Sequence, residues 1–173
     1  VGDSNVEQYY PRVDALLEAD RAHTRSVVFS TMGGCLPVPG SPHDNDHSGC
    51  RGLMEHAREY VRSEPRVRTV VIAAQWNGYL ADGRALQGTF GFGTDNYRAA
   101  LARLGPYIRD LRALGPQVVV ILNIPIGPGL DPRQMAKRSL QNFPRVLSIR
   151  QGGIDRAELD RAYGAIQRDV REV

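Results

Sequence analysis

A chain of 173 residues that is 42% hydrophobic and 24% charged has enough apolar material for one buried core, which excludes a disordered segment. Its net charge of +3 comes from arginines scattered among acidic residues (Arg21, Arg25, Arg62, Arg66, Arg103, Arg112), so nothing marks a nucleic-acid surface. No apolar run approaches the ~20 residues of a membrane span, and no signal peptide is visible in a sequence that opens at Val1.

The first feature along the chain is Gly2-Asp3-Ser4, a turn followed directly by a helix-like run. That is a nucleophile's position, because free N–H groups and the positive end of a helix dipole favour a developing oxyanion. Such a turn normally ends a buried strand, and only Val1 stands before it, so the sequence reads as part of a longer chain. Pro11 to Ala22 predicts a helix, with proline near its first turn and Val13, Leu16 and Leu17 on one side. Ser26 to Thr31 predicts a short strand ended by Gly33-Gly34. Gly52 to Arg62 suits a helix, and Val67 to Ala74 a buried strand, before a glycine-rich loop from Gly78 to Gly93. Thr94 to Leu114 is the clearest helix: Thr94 or Asp95 caps it, Leu101, Leu104, Ile108 and Leu111 share a face, and Gly115-Pro116 stops it. Val118 to Leu122 is a third apolar strand, Val146 to Ile149 a fourth, and Asp155 to Val170 a closing helix capped by Asp155.

Short strands that are apolar on both faces and separated by helices indicate an α/β fold, with a parallel sheet covered on both sides. Ligands bind such sheets beyond the carboxyl ends of the strands. That rule selects Ser4, Gly33-Gly34, Gln75-Trp76-Asn77 and Asn123-Ile124-Pro125, which should converge on one rim. Ser4 supplies a hydroxyl and its own N–H, Gly34 a second N–H, and Asn77 a side-chain amide: a nucleophile with an oxyanion hole.

Cys35 and Cys50 bracket a polar loop with prolines at 37, 39 and 42. A bridge would close a loop of about 15 residues, worth ~3 kcal/mol in the chain-entropy model, and would imply an oxidising compartment. Two free thiols, or zinc held by Cys35, His43, His47 and Cys50, are the other readings. The spacing lacks the paired Cys-x₂-Cys of common zinc sites.

The three blocks together resemble the SGNH (GDSL-like) hydrolase superfamily: Gly2-Asp3-Ser4 as its first block, Gly34 as the glycine of its second, and the strand leading to Asn77 as its third. More closely, Gly2-Asp3-Ser4 with Gln8-Tyr9-Tyr10-Pro11, Gly34-Cys35-Leu36-Pro37 and Ala73-Ala74-Gln75-Trp76 is similar to the extracytoplasmic SGNH domains fused to bacterial membrane acyltransferases of the acyltransferase-three family. The resemblance runs from residue 1 to about residue 132, with Pro125 and Pro128 fitting the loop after the next strand. It implies a three-layer α/β/α fold, flavodoxin-like, as a single domain over residues 1–173 that lacks its first strand and its last block.

The chain departs from that pattern at four places. Asn5 stands where the fused domains usually carry histidine, Gln75 replaces the third-block glycine, and Gly78 follows Asn77 where an acidic residue is common. The fourth block, an Asp-x-x-His, is missing, and no histidine occurs after His56. One Asp-x-x-His does exist, Asp44 to His47, but it lies between the cysteines, where a solvated turn is the plainer reading. Its Asp44 and His47 are a substitute for a base otherwise expected beyond Val173.

The expected activity is serine-dependent O-acyl transfer, acetyl in the leading case, to or from carbohydrate hydroxyls. Ser4 is the nucleophile and Gly34 and Asn77 hold the oxyanion. Asn5 and Trp76 are candidates to line the substrate, as are Tyr9-Tyr10 and the Gly91-Phe92-Gly93 loop. The chemistry calls for no metal and no cofactor. The resemblance implies an acyl donor, a glycan acceptor and a membrane acyltransferase domain in the same polypeptide, in the periplasm and tethered to the inner membrane. A GDSL-type esterase or lipase uses the same constellation. A glycan- or protein-binding module on the same fold, without catalysis, is the reading from another class.

Overall fold

The computed structural model describes residues 1–23, 25–41, 50, 52–81, 91–122, 136–138, 146–149 and 155–173. Their order is α1 (Ser4–Glu7), α2 (Tyr10–Ala19), α3 (Leu53–Ser63), β1 (Thr69–Ala73), α4 (Trp76–Leu80), α5 (Asp95–Ala113), β2 (Gln117–Ile121), β3 (Ala136–Arg138), β4 (Val146–Ile149) and α6 (Arg156–Glu172). β1 and β2 are separated by α4 and α5, the helical crossover of an α/β fold. The chain divides into two compact units, residues 1–123 with 166–173, and residues 124–165.

In the first unit β1 and β2 run parallel, in register from Thr69 opposite Gln117 to Ala73 opposite Ile121. Gly2 bridges Thr31 on one side and Ala73 on the other, both in parallel. Thr31, Gly2, Ala73 and Ile121 therefore lie side by side. Segments taken in chain order sit in space as second, first, third, fourth. The connection direction reverses at Gly2, and the switch point of such a sheet, just past its strand ends, is where α/β folds bind ligands.

The core lies on the face carrying Val70 and Ile72, which packs with Leu104, Leu111 and Ala100 of α5, Met54 and Val61 of α3, and Ile166 and Val170 of α6. α5 forms as its sequence dictates. Thr94 is the cap, accepting from the Tyr97 N–H at 3.3 Å and donating its hydroxyl to Gly91 at 2.8 Å, and the helix closes just before Gly115-Pro116. The Tyr107 hydroxyl donates to the Met54 carbonyl at 2.7 Å, which fastens α5 to α3. The opposite face of the sheet differs from expectation: Val71, Val119 and Ile121 stay more than a third exposed. A continuous apolar run does not by itself tell which face is covered.

The segment 26–31 was expected as a strand and pairs only at its end. Gly2 N–H donates to Ser30 and Met32 N–H to Gly2, at 3.1 and 3.0 Å. Val27 and Val28 remain half exposed. α2 is shorter than predicted, ending at Asp20 rather than Ala22.

In the second unit β4 does not extend the parallel sheet. It pairs antiparallel with β3, Ala136 opposite Ile149, with a bulge between Lys137 and Arg138. Asp155 caps α6 as expected, its Oδ1 accepting from the Ala157 N–H at 3.0 Å.

Cys35 and Cys50 are joined in a disulfide, with their Cα atoms 5.5 Å apart. That removes both thiolates from any zinc site. Leu36, Pro37 and Val38, which the sequence places in a polar loop, are buried in the core. His43, Asp44, Asp46 and His47 lie outside the described residues, as do 82–90 and Asn123, Ile124, Pro125 and Pro128. Replacing both cysteines by alanine should cost about 3 kcal/mol and lower Tm by roughly 6–12 °C. Intact mass of the non-reduced protein should rise by two hydrogens on reduction. Two free thiols before reduction would contradict the bridge.

Three buried phenols make a separate prediction. Burial, first, pushes the Tyr79, Tyr97 and Tyr107 hydroxyls above their ordinary value; Asp3 beside Tyr79 and Asp169 beside Tyr97 add to it, while at Tyr107 the Arg58 charge opposes burial and Glu55 adds to it. A raised folded pKa contributes stability that is complete below the unfolded value, about 10, and is lost as pH rises through the folded one. Stability to urea should therefore hold between pH 8 and about 9.5 and decline above pH ~10. Tyrosinate absorbance from these three should appear together with loss of near-ultraviolet circular dichroism. Their ionisation in a protein that keeps its tertiary signal would contradict the burial.

Candidate active site

The Gly2-Asp3-Ser4 turn is held by close approach and by one carboxylate. A Cβ on Gly2 would fall inside contact distance of the Ala73 carbonyl oxygen and of the Val6 side chain. Only glycine lets the first segment lie this near β1. Asp3 is fully buried. It caps α1, its Oδ1 accepting from the Asn5 N–H at 2.9 Å. Its Oδ2 accepts from Asn5 Nδ2 at 3.0 Å and from the Gln75 N–H at 3.1 Å, and the carboxylate adds to the burial that raises the Tyr79 phenol. Asp3 therefore ties the end of the first segment to the end of β1.

Ser4 follows that anchor and is exposed. The helix behind it is a single turn of four residues, with a new helix beginning at Tyr10. A dipole that short adds little, so any oxyanion here relies on individual donors and not on the helix. Gly33 lies beside the serine: a Cβ built on it would stand 3.7 Å from Ser4 Cβ. Gly34 takes a left-handed φ of +75°, and its side faces open space. Among the described residues its N–H has no backbone acceptor. The first and second blocks thus adjoin.

The third block joins them through Asp3. Gln75 receives the carboxylate at its N–H, and its side chain packs against Gly78. Asn77, two residues on, is 1% exposed, and among the described residues neither its Nδ2 nor its Oδ1 has a hydrogen-bond partner. An unpaired buried amide costs about 1–3 kcal/mol and calls for an explanation; a donor reserved for a ligand is one. Trp76 differs from expectation. It is fully buried and its Nε1 donates to the Ile121 carbonyl at 2.8 Å, so it fastens α4 to the end of β2 and lines no open site. Asn5 is half buried and spends its side chain on Asp3. Tyr9 and Tyr10 are exposed, with Tyr10 edge-on to Phe29, and Phe92 packs edge-on against Tyr97.

No histidine among the described residues hydrogen-bonds Ser4. The His23 ring pairs with Asp20 at 2.7 Å, and His56 is exposed on α3. Sequence reasoning missed Asp3 as an anchor. The available signal was an acid at the cap position of a turn whose neighbours were already assigned functions.

Parallel strands, with a serine at the sheet's switch point and a glycine turn beside it, are the arrangement of a hydrolase- and acyltransferase-type fold. A family model described as "SGNH domain (fused to AT3 domains)" matches residues 1–173, and the chain belongs to that family. Neither the curated proteins nor the solved structures contain a match to it.

Proposed function

We propose that this domain transfers an acyl group, acetyl in the leading case, to or from a carbohydrate hydroxyl through an acyl-Ser4 intermediate. The observation that carries the reading is the exposed Ser4 hydroxyl, set on a locked turn beside the open Gly33-Gly34 turn. Ser4 Oγ forms a bond to the acyl carbonyl carbon and gives its proton to a base. The carbonyl oxygen gains the charge, and the N–H groups of Ser4 and Gly34 and the Asn77 amide receive it. The donor's leaving oxygen or sulfur departs with a proton. A sugar hydroxyl then attacks acyl-Ser4, giving the ester and regenerating the serine; water in its place gives hydrolysis, the esterase or lipase case.

The base in this reading stands outside the described residues, where Asp44 and His47 are the one Asp-x-x-His of the sequence. The disulfide favours a location outside the cytoplasm, the periplasm, where such bonds persist. The family's fusion to AT3 domains favours a membrane acyltransferase in the same polypeptide as the source of the acyl donor.

The test is covalent capture. A p-nitrophenyl phosphonate ester should modify the natural protein once, at the peptide carrying Ser4, and block release of acetate from p-nitrophenyl acetate. Modification elsewhere, or none, would refute Ser4 as nucleophile. The non-catalytic binding module is the second reading, favoured by the burial of Asn77. It predicts glycan binding that survives Ser4→Ala, with no ester turnover.

A further inference from the structure

We infer that Asp3 is a positioning residue: its buried carboxylate sets the distance between Ser4 and Asn77. The inference rests on the reading of Ser4 as nucleophile and adds to it the part that aligns the two halves of the site.

The geometry is that of a clasp. Ser4 is one residue beyond Asp3, and Asn77 is two residues beyond Gln75, whose N–H the same carboxylate holds at 3.1 Å. The two turns are 72 residues apart in sequence. A helix cap alone would not need this arrangement, since capping α1 uses only Oδ1 and the Asn5 N–H. The other oxygen collects the Gln75 N–H and Asn5 Nδ2. A carboxylate offers about four acceptor sites, and these three donors occupy most of them.

No cation pairs with Asp3 among the described residues. Such a buried charge is costly unless its hydrogen bonds are complete; when they are complete, charge-assisted bonds are short and stiff. Asn5 joins this clasp through its N–H and its side-chain amide, and Gln75 through its backbone N–H. Catalysis by oxyanion donors depends on their placement, and a misplacement of about 1 Å can cost on the order of 10²-fold.

The experiment uses the natural protein and p-nitrophenyl acetate, at a temperature well below each variant's Tm. Asp3→Asn keeps the volume and the acceptor for the Asn5 N–H but turns an amide NH₂ toward two donors. It should lower kcat by roughly 10²-fold, leave KM within about twofold, and slow phosphonate capture of Ser4 in parallel. Adding Asn5→Asp restores a donor–acceptor pair within the turn, and should recover Tm without recovering kcat, because the bond to Gln75 stays broken. A merely structural role would restore both.

If Asp3→Asn does not fold, Gln75→Pro decides. Gln75 has φ −76°, which proline accepts, and the substitution removes the N–H that Asp3 holds together with the side chain beside Gly78, for which Gln75→Ala is the control. Gln75→Pro should lower kcat about tenfold or more, again with KM little changed. Wild-type kcat in a folded Asp3→Asn or Gln75→Pro protein overturns the inference. Unchanged turnover in Ser4→Ala overturns the nucleophile reading itself, and with it the reaction that Asp3 would serve.

Discussion

Ser4→Ala should abolish ester turnover and leave the fold intact. Ser4 is exposed, and among the described residues its hydroxyl holds nothing together, so its loss should change stability by less than the ordinary scatter of surface substitutions, about 0.5 kcal/mol. Its chemical effect should be large, because without it no acyl-enzyme forms and only residual rate from oxyanion stabilisation remains. A fall of at least ~10³-fold in kcat is expected. Asn77→Ala should be milder in rate, on the order of 10²–10³-fold for one oxyanion donor, and should not destabilise through lost hydrogen bonds, since the side chain makes none among the described residues. Side-by-side kcat and thermal unfolding of the two variants make the check. A protein that keeps its turnover without Ser4 uses another nucleophile. One that keeps full kcat without Asn77 has a third block that only packs.

The parts of this architecture that could be read from sequence are those fixed by neighbours in the chain. α5 announces itself because Thr94, its apolar face and Gly115-Pro116 all act within a turn or two of where they stand. β1 and β2 do so through unbroken apolar runs. The Gly2-Asp3-Ser4 and Gly33-Gly34 turns were legible as turns, and their adjacency followed from the rule about strand ends.

What escaped depends on partners far away. Asp3 meets Gln75 across 72 residues, and Trp76 meets Ile121 across 45; neither partner is marked by anything local. β4 pairs antiparallel because its partner is Ala136–Arg138, a stretch with no strand pattern of its own. Leu36 and Val38 look like loop residues between prolines, yet they join the core beside the disulfide at Cys35.

Gly2→Ala should be the most destabilising single substitution in the site. The added methyl would occupy the space of the Ala73 carbonyl oxygen, which is backbone and cannot rotate away. Relieving the overlap means separating the first segment from β1. That stretches Ala73 N–H from Val1, at 3.1 Å, together with the bonds between Gly2 and Ser30 and between Met32 and Gly2. Overpacking alone costs ~1–3 kcal/mol, and each lost hydrogen bond adds about 1 kcal/mol, so a loss of roughly 4 kcal/mol and a fall in Tm of about 8–16 °C are expected. Gly33→Ala is the control: its methyl would stand 3.7 Å from Ser4 Cβ, an ordinary contact, and Tm should hardly move. Because Asp3 and Ser4 ride on the displaced strand end, Gly2→Ala should also lose turnover at temperatures where it remains folded. Equal thermal stability in Gly2→Ala and Gly33→Ala would mean that the first segment does not lie against β1, and that the switch point at which Ser4 is placed is not formed by these strands.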